Sequence, residues 1–532
     1  MKRKALIYFF LLSTCMTAQV IRFEKVFGGI NNEQGWAGQL TSDKGFILTG
    51  TTSSTGAGGT NCYLIKTDSS GTLQWTNSYG GTHDDEAFAV KQTNDGGYIL
   101  CGYTKSFGAG GYDVFLVKTN ALGDTLWTRA YGTALNDYGN SIQLTSDGGY
   151  IVAGYTNGML AAGDSGCAYL LRINPDGSMK WSKSFGSPSM ITDAYALSET
   201  SDKGFIITGY TNGGGEPNGD AFLTKTDSSG NIQFMKTYGG KGTDWGNSVK
   251  QTSDGGFVIG GSISTDSTSK SESLYLIKTN SLGDTLFTKT FGGGVYSFGQ
   301  SILQMPDLGY ALAGYTDAFG SGNSDACLIR TNASGDTLFT GVYGGSGDDE
   351  ANAVFQASDG TLCMAGFSNS YGSGFYDLFL IKTDLNGKSG CVDHNFTYSA
   401  QKIVTQVSTI TPSYGSGTTI VSGTHPVSVP VGVGVDVCTP AWMIREPLQS
   451  IALSVFPNPC QGTLSLDFHQ QLSKEATVVF TDIHGKALAE YKLPPLHEQY
   501  DLTLDELPNG FYFYQIRLGS EIPCRGKITL IK

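Results

Sequence analysis

Acidic residues recur at one position of a repeated pattern, and their spacing is the first chemical signal in the sequence. Five of them follow a Tyr or Phe of an aromatic-glycine pair by six residues, and one lies in a longer version of the same segment. They are Glu33, Asp85, Asp137, Asp244 and Asp349, with Asp193 as the sixth acid and Ser297 interrupting the series. Carboxylates gathered at one loop face could hold a cation such as calcium or hydrogen-bond sugar hydroxyls. The competing interpretation is that they cap turns and solubilise the rim.

Two runs of neighbouring acids suggest a second chemistry. The runs Asp84-Asp85-Glu86 and Asp348-Asp349-Glu350 could supply the paired carboxyl groups that glycoside hydrolysis uses. The repeats contain a single histidine, His83, so a histidine-rich metal centre is not expected. We therefore predict no catalytic residues, no metal centre and no cofactor, with a polysaccharide hydrolase or lyase as the alternative.

The elements that carry these acids are seven tandem repeats of about 52 residues. An aspartate-glycine turn recurs at Asp43, Asp95, Asp147, Asp202, Asp254, Asp307 and Asp359, and a basic residue at Lys66, Lys118, Arg172, Lys225, Lys278, Arg330 and Lys382. The unit from Ala87 to Gly132 has four alternating strands joined by turns, which is the size of one propeller blade. The basic residue ends the third strand on the same rim as the Asp of the first hairpin, so an ion pair is expected there.

Ring closure is predicted from one missing strand. The seventh repeat lacks the aromatic fourth-strand motif, and that motif occurs instead near the N-terminus at Phe23, Phe27 and Gly28. The sequence therefore predicts an all-β, seven-bladed β-propeller over 19–390, closed by its N-terminal strand so that no sheet edge is left open. If the first strand of each repeat is innermost, the acids surround the mouth of the central channel.

The N-terminus indicates export. Lys2, Arg3 and Lys4 precede an apolar run over 5–12 and an Ala18-Gln19 junction, the pattern of a cleaved signal peptide over 1–18. Cys15 leaves a lipoprotein as an alternative, which Thr14 before it disfavours. The apolar run is too short to span a bilayer. With 47 acidic and 34 basic residues and a net charge of −13, the chain is not expected to bind nucleic acid.

The segment 391–445 differs in composition from the repeats. Thr, Ser, Val and Gly dominate it and charges are sparse, so it is either a small β appendage or an extended linker. Possible disulfides in an oxidising compartment join Cys391 to Cys438 and Cys460 to Cys524.

The C-terminal segment 446–532 contains several ordered motifs. They include Pro457, Asn458, Pro459, Gly485, Gly510, Tyr512 and Lys527. In this order they resemble the type A C-terminal sorting domain, a small β-sandwich, of cargo of the bacterial type IX secretion system. The repeats likewise resemble the glycine-rich propeller repeats of such cargo.

The resemblance implies passage through the periplasm, contact with the type IX machinery, and then release or attachment at the outer cell surface. We expect a non-catalytic binding or adhesion module for glycan or protein. The sequence does not name the ligand, and fold alone does not supply one.

Overall fold

The computed structural model describes most of residues 21–531 as β-strands and short connections. The gaps in this description are 160–165, 187–189, 214–217, 265–270, 293–295, 391–392, 395–400, 403–405, 410–412, 416–418, 422–432, 437–453, 457–461, 468–475, 482–486, 496 and 519–520. The predicted signal peptide over 1–18 lies outside the described residues. Contacts divide the chain into two compact units, Met1–Thr439 and Pro440–Lys532.

Seven four-stranded antiparallel blades form the first unit, as the repeats predict. The blades are β2–β5 (Glu33–Leu40, Phe46–Thr52, Asn61–Thr67, Leu73–Tyr79), β6–β9 (Asp85–Gln92, Tyr98–Thr104, Asp113–Thr119, Thr125–Gly132), β10–β13 (Asp137–Leu144, Tyr150–Thr156, Cys167–Ile173, Met179–Gly186), β14–β17 (Thr192–Glu199, Phe205–Thr211, Asp220–Thr226, Ile232–Gly239), β18–β21 (Asp244–Gln251, Phe257–Ser264, Glu272–Thr279, Thr285–Phe291), β22–β25 (Ser297–Gln304, Tyr310–Thr316, Asp325–Thr331, Thr337–Tyr343) and β26–β28 (Asp349–Gln356, Leu362–Ser368, Asp377–Lys382) with β1 (Phe23–Gly28). We number them blades 1 to 7 in this order.

The N-terminal strand completes blade 7. Strand β1 pairs antiparallel with β28, from Phe23 opposite Lys382 to Phe27 opposite Leu378. Phe27 is fully buried. The prediction that the first strand closes the ring is confirmed.

Apolar side chains between neighbouring blades hold the ring together. The second and third strands of each blade are buried on both faces because a blade lies against each of them. In blades 1, 2, 4 and 6 a tyrosine near the end of the fourth strand adds a polar contact. The hydroxyl of Tyr79, for example, donates to the carbonyl of Gly123 in the next blade at 2.6 Å. Tyr238 and Gly283 repeat this bond at 2.5 Å.

On the rim that carries the first hairpin, every blade has the predicted ion pair. The pairs are Lys66–Asp43, Lys118–Asp95, Arg172–Asp147, Lys225–Asp202, Lys278–Asp254, Arg330–Asp307 and Lys382–Asp359. In blade 2 the Lys118 ammonium lies 2.9 Å from Asp95 and also donates to the carbonyl of Thr119. These basic residues are therefore structural.

The segment after the seventh blade forms short strands on the outside of the propeller. These strands are β29 (Asp393–His394), β30 (Gln401–Lys402), β31 (Gln406–Thr409), β32 (Ser413–Gly415), β33 (Thr419–Val421) and β34 (Val433–Asp436). They pair in turn with the outermost strands of blades 6, 5, 4, 3, 2 and 7. We call them the belt. Among the described residues, blade 1 has no fifth strand.

The second unit contains two small antiparallel sheets. One has the order β35-β36-β39 (Ser454–Phe456, Thr463–Asp467, Gln499–Thr503), and the other β38-β37-β40-β41 (Ala487–Leu493, Ala476–Thr481, Gly510–Leu518, Glu521–Leu530). Buried residues of both sheets, including Leu466, Phe480 and Leu502, share one hydrophobic core. The described part of the chain is all-β, as predicted, and has no helix long and apolar enough to cross a membrane.

Candidate ligand-binding site at the mouth of the central channel

The first strand of each blade lines the central channel, as expected. All seven first strands contribute to one cavity of about 590 Å³ along the axis. Each strand has a register shift between its third and fifth residues, which marks a β-bulge at the fourth residue. Bulges re-aim a side chain and are common next to functional sites.

The seven bulge residues all line the cavity. They are Trp36, Phe88, Asn140, Tyr195, Asn247, Gln300 and Asn352. Three of them are aromatic and four are amides. The amide nitrogen of Asn352 donates to the carbonyl of Gly35 at 2.9 Å and so links blade 7 to blade 1.

The acids that the sequence singles out lie at the start of these strands. Glu33, Asp85, Asp137, Asp244 and Asp349 are the first residues of β2, β6, β10, β18 and β26, and all are buried. Each accepts a hydrogen bond from a backbone N–H four residues earlier, at 2.6–2.8 Å. Five carboxyls of the set thus close the loops that precede them.

Asp193 occupies a different position. Thr192 is the buried first residue of β14, and Asp193 follows it as a half-buried second residue. The amide nitrogen of Asn140 donates to the Asp193 carboxylate at 3.1 Å. Only Asp193 of the six candidates therefore lies in the layer that faces the mouth.

At four blade seams a first-strand acid is buried close to an acid from the preceding blade. The pairs are Asp137 with Asp113, Asp244 with Asp220, Asp349 with Asp325, and Glu33 with Asp377. At the third seam a glycine separates the two: a Cβ on Gly344 would lie 2.4 Å from Asp325 Oδ1 and 2.6 Å from Asp349 Oδ2. Burial, with the nearby Asp349 charge, raises the pKa of Asp325 to about 6. Burial raises that of Asp244 to about 8, and the Asp220 charge adds to it.

These buried pairs predict a stability that falls as the pH rises. An unfolded chain loses the protons of Asp325 and Asp244 near pH 4, whereas the folded chain keeps them until about pH 6 and about pH 8. The folded state therefore binds more protons in this window, and stability is lost as the pH rises through the folded pKa values. We expect the Tm of the propeller to fall between pH 5 and pH 9 in thermal denaturation.

A matched pair of variants tests this origin. Asp325→Asn removes one buried titrating group and should flatten the Tm profile around pH 6. Asp336→Asn in the same blade removes an exposed carboxyl whose ion pair with Lys289 lowers its pKa, so the fall should persist. Equal profiles for Asp325→Asn and the parent would contradict the assignment.

The second residue of each first strand forms the layer above the bulges. This layer contains Gln34, Glu86, Tyr138, Asp193, Trp245, Phe298 and Glu350, all half-buried. Side chains here alternate with the buried first and third residues, and they lie two residues before the cavity-lining bulge of each strand.

Aromatic rings connect this layer to the second strands and the loops. On blades 2 and 3, Tyr138 contacts Tyr103, Tyr112 and Tyr155 at ring-centroid distances of 5.3, 5.4 and 6.0 Å. Phe88 continues the series to Trp36 at 5.8 Å.

A second series covers blades 4 to 6. Trp245 stacks on Tyr210 at 6.3 Å and contacts Phe298 at 5.9 Å. Phe298 in turn stacks on Tyr315 at 5.1 Å. Trp36 also contacts Phe367 of blade 7 at 6.0 Å. We call these rings, with Glu86, Asp193 and Glu350, the aromatic mouth.

The three acids of the aromatic mouth keep their protons more tightly than ordinary carboxyls. Burial raises the pKa of Asp193 to about 7. Burial and the Asp348 charge raise the pKa of Glu350 to about 7. Burial also raises the pKa of Glu86, and the Asp84 charge adds to it. Groups that titrate near neutrality in a cleft are candidates for binding or proton transfer.

The repeat pattern did not predict the aromatic mouth because the residue type at this position differs from blade to blade. An alignment of the repeats on the first-strand acid places Tyr138, Trp245 and Phe298 in one column. An aromatic residue directly after the acid position in three repeats is the sequence signal that could have predicted the aromatic mouth.

Most of the other predicted site residues lie outside the described residues. This applies to Pro457, Asn458, Pro459, Gly485, Cys391, Cys438 and Cys460, and to the side chains of Cys524 and Lys527. The two disulfides therefore stay predictions. Gly510 begins β40, and the buried Tyr512 donates to the carbonyl of Pro508 at 2.6 Å.

No group of three or more potential metal-ligating side chains occurs among the residues that the structure describes. Calcium binding by the acids stays one of the two interpretations that the sequence offers. Ten cysteines occur in the chain, and five of them, Cys62, Cys101, Cys167, Cys327 and Cys363, are buried in the blades.

Comparison with known proteins gives one informative match. No curated protein matches the chain. Solved structures similar to it include a crystal structure of the eukaryotic initiation factor, at 9% identity over 90% of this chain and 98% of that one, with a TM-score of 0.24. Another is a GH43_12 retrieved from capybara gut metagenome, at 10% identity over 97% and 91%, also with a TM-score of 0.24. Both scores lie below 0.5, and neither likeness bears on function.

The family match concerns the C-terminal unit. Residues 454–529 match the secretion system C-terminal sorting domain. The match falls on the two small sheets and on the region in which the sequence motifs occur in order. The chain is thus a seven-bladed β-propeller that carries a type IX secretion system C-terminal sorting domain.

Proposed function

We propose that this exported propeller binds carbohydrate at the aromatic mouth of its central channel. The observation that carries the proposal is the connected set of aromatic rings with Glu86, Asp193 and Glu350, which adjoins the central cavity through Trp36 and Phe88. Ligand sites are concave and largely apolar, with a few polar groups that fix orientation. Aromatic faces suit the apolar faces of sugar rings, and carboxyls and amides suit the hydroxyls.

The sorting domain supports this setting. A type IX sorting domain implies contact with the secretion machinery and export from the cell. Polysaccharides and cell-surface glycans occur outside the cell. We propose that export ends with release of the propeller or with its attachment to the outer surface. Loops and strand ends on a rigid scaffold are the usual place for binding residues.

The double variant Trp245→Ala/Phe298→Ala tests the site. Contact residues of this kind each contribute on the order of 1–3 kcal/mol, so we expect the Kd for a captured glycan to rise at least about tenfold. A glycan array with the mature chain, followed by calorimetry on the ligands it identifies, measures the change.

Phe375→Ala provides the control. Phe375 lies on the same face, is 73% exposed, and is next to Tyr376, which contacts Phe367 at 5.3 Å. Its removal should leave the Kd unchanged. No binding across broad glycan arrays, or equal losses in both variants, would contradict the proposal.

A polysaccharide hydrolase or lyase is the second candidate, and the raised pKa of Glu350 favours keeping it. A carboxyl that titrates near pH 7 can act as a general acid. In the same experiment, release of reducing ends would identify such an activity. Glu350→Gln should then abolish turnover while binding persists, whereas a pure binding module releases no product.

A further inference from the structure

Two lysines lie in the channel below the aromatic mouth. Lys91 and Lys250 are the seventh residues of β6 and β18, and both line the cavity. Blades 2 and 5 are three places apart in the seven-membered ring, so the two strands lie on opposite sides of the channel. They lie five residues beyond Glu86 and Trp245 of the mouth, or about 15 Å along a bulged strand.

No acid accompanies these lysines. Neither an aspartate nor a glutamate is among the described residues that line the cavity. At the same level the other first strands present Gln39, Gln143, Ser198, Leu303 and Phe355, none of which titrates at physiological pH.

The two lysines differ from the other buried basic residues of the propeller. Each third-strand Lys or Arg is paired with an aspartate of its own blade, as described above. In contrast, no salt bridge found within the described part of the chain includes Lys91 or Lys250. A half-buried ammonium without a counterion is costly, and an anion relieves that cost.

The charge of one lysine also affects the other. Burial, with the positive charge of Lys250, lowers the pKa of Lys91 to about 7. Burial lowers the pKa of Lys250 as well. Both shifts favour the neutral amines, and a bound anion would oppose them by favouring the charged ammonium groups.

We infer that the channel binds the anionic group of an acidic sugar, a carboxylate or a sulfate, between Lys91 and Lys250. The sugar part of this inference rests on the proposed function, while the anion part does not. Amide side chains of Gln39 and Gln143 lie at the same level and can donate hydrogen bonds to the bound group.

Small probes test the inference on the mature chain. Calorimetry with glucuronate, glucose 6-sulfate, inorganic sulfate and neutral glucose separates the alternatives. We expect both acidic sugars to bind, glucose not to bind, and Lys91→Gln/Lys250→Gln to weaken binding at least tenfold. Binding should also weaken from pH 6 to pH 9 as Lys91 loses its proton.

The substitutions are chosen so that the variants fold. Glutamine already occupies this position in blades 1 and 3, at Gln39 and Gln143, so the double variant keeps a side chain that the channel accepts. Its Tm should equal or exceed that of the parent. Lys241→Gln removes an exposed lysine and should bind the probes as the parent does.

Each outcome decides one part of the inference. If none of the anions binds, or if the double variant binds them unchanged, the anion site is wrong. If inorganic sulfate binds as tightly as the sugars, the anion site stands and its assignment to sugars is wrong. Loss of glycan binding in Trp245→Ala/Phe298→Ala with intact glucuronate binding would show that the channel and the mouth act separately.

Discussion

A mature chain that begins at residue 29, without β1, is expected to lose the folded propeller. Phe23, Val26 and Phe27 are buried in the closed ring, and burial of such side chains stabilises a fold by about 1.5–3 kcal/mol each. Their sum is comparable to the whole stability of a typical domain, about 5–15 kcal/mol. The truncation also exposes the edge of β28, which can then pair with other chains. Size-exclusion chromatography and thermal denaturation should show aggregates without a cooperative transition.

Two further variants serve as controls for this truncation. A chain that begins at residue 22 keeps β1 and should behave like the mature protein. Phe27→Ala keeps the strand and should lower the free energy of unfolding by about 3–5 kcal/mol. A monomeric chain from residue 29 with the parental Tm would show that β1 does not close the ring.

Removal of residues 446–532 is expected to stop export at the periplasm. Residues 454–529 match the sorting domain, so its loss removes the signal that the type IX machinery reads while the propeller remains complete. Cell fractionation in a host with this system should find the truncated protein in the periplasm and the full chain outside the outer membrane.

A transfer experiment provides the control for this deletion. Residues 446–532 fused to a periplasmic reporter should carry the reporter across the outer membrane. Normal appearance of the truncated propeller outside the cell would contradict the role of the C-terminal unit. Retention of the fusion would place part of the signal upstream of residue 446.

The repeats made the fold predictable because each blade depends on local spacing. The hairpin Asp and the third-strand Lys or Arg, such as Asp95 and Lys118, recur at nearly the same separation in every repeat. An ion pair inferred for one blade therefore predicts the pair in all seven. The missing fourth strand in repeat seven and its copy at Phe23 predicted closure for the same reason.

The site was less predictable because it depends on register and burial. Asp85 and Asp349 read as loop acids in the sequence, yet the strands begin at these residues and bury them. The bulge that places Trp36 at the channel is a backbone feature, and the bulge residue itself differs in type from blade to blade. Lys91 and Lys250 come together only through ring closure.

The belt was unpredictable for a further reason. Its strands pair with partners from other blades, and neither their composition nor their length marks those partners. Residues 391–445 contain no repeat, and short Thr- and Val-rich stretches fit a strand or a linker equally well.

Strand β1 lies between β28 and β34, with Val26 opposite Phe379 on one side and Val435 on the other. Strand β1 therefore acquires its second neighbour only when residue 436 has been made. Contacts so distant in sequence slow folding, because a large loop must close before they form. During synthesis the ring stays open until the last blade emerges. The order in which the chain is made thus keeps the ring open until most of the chain has been translated.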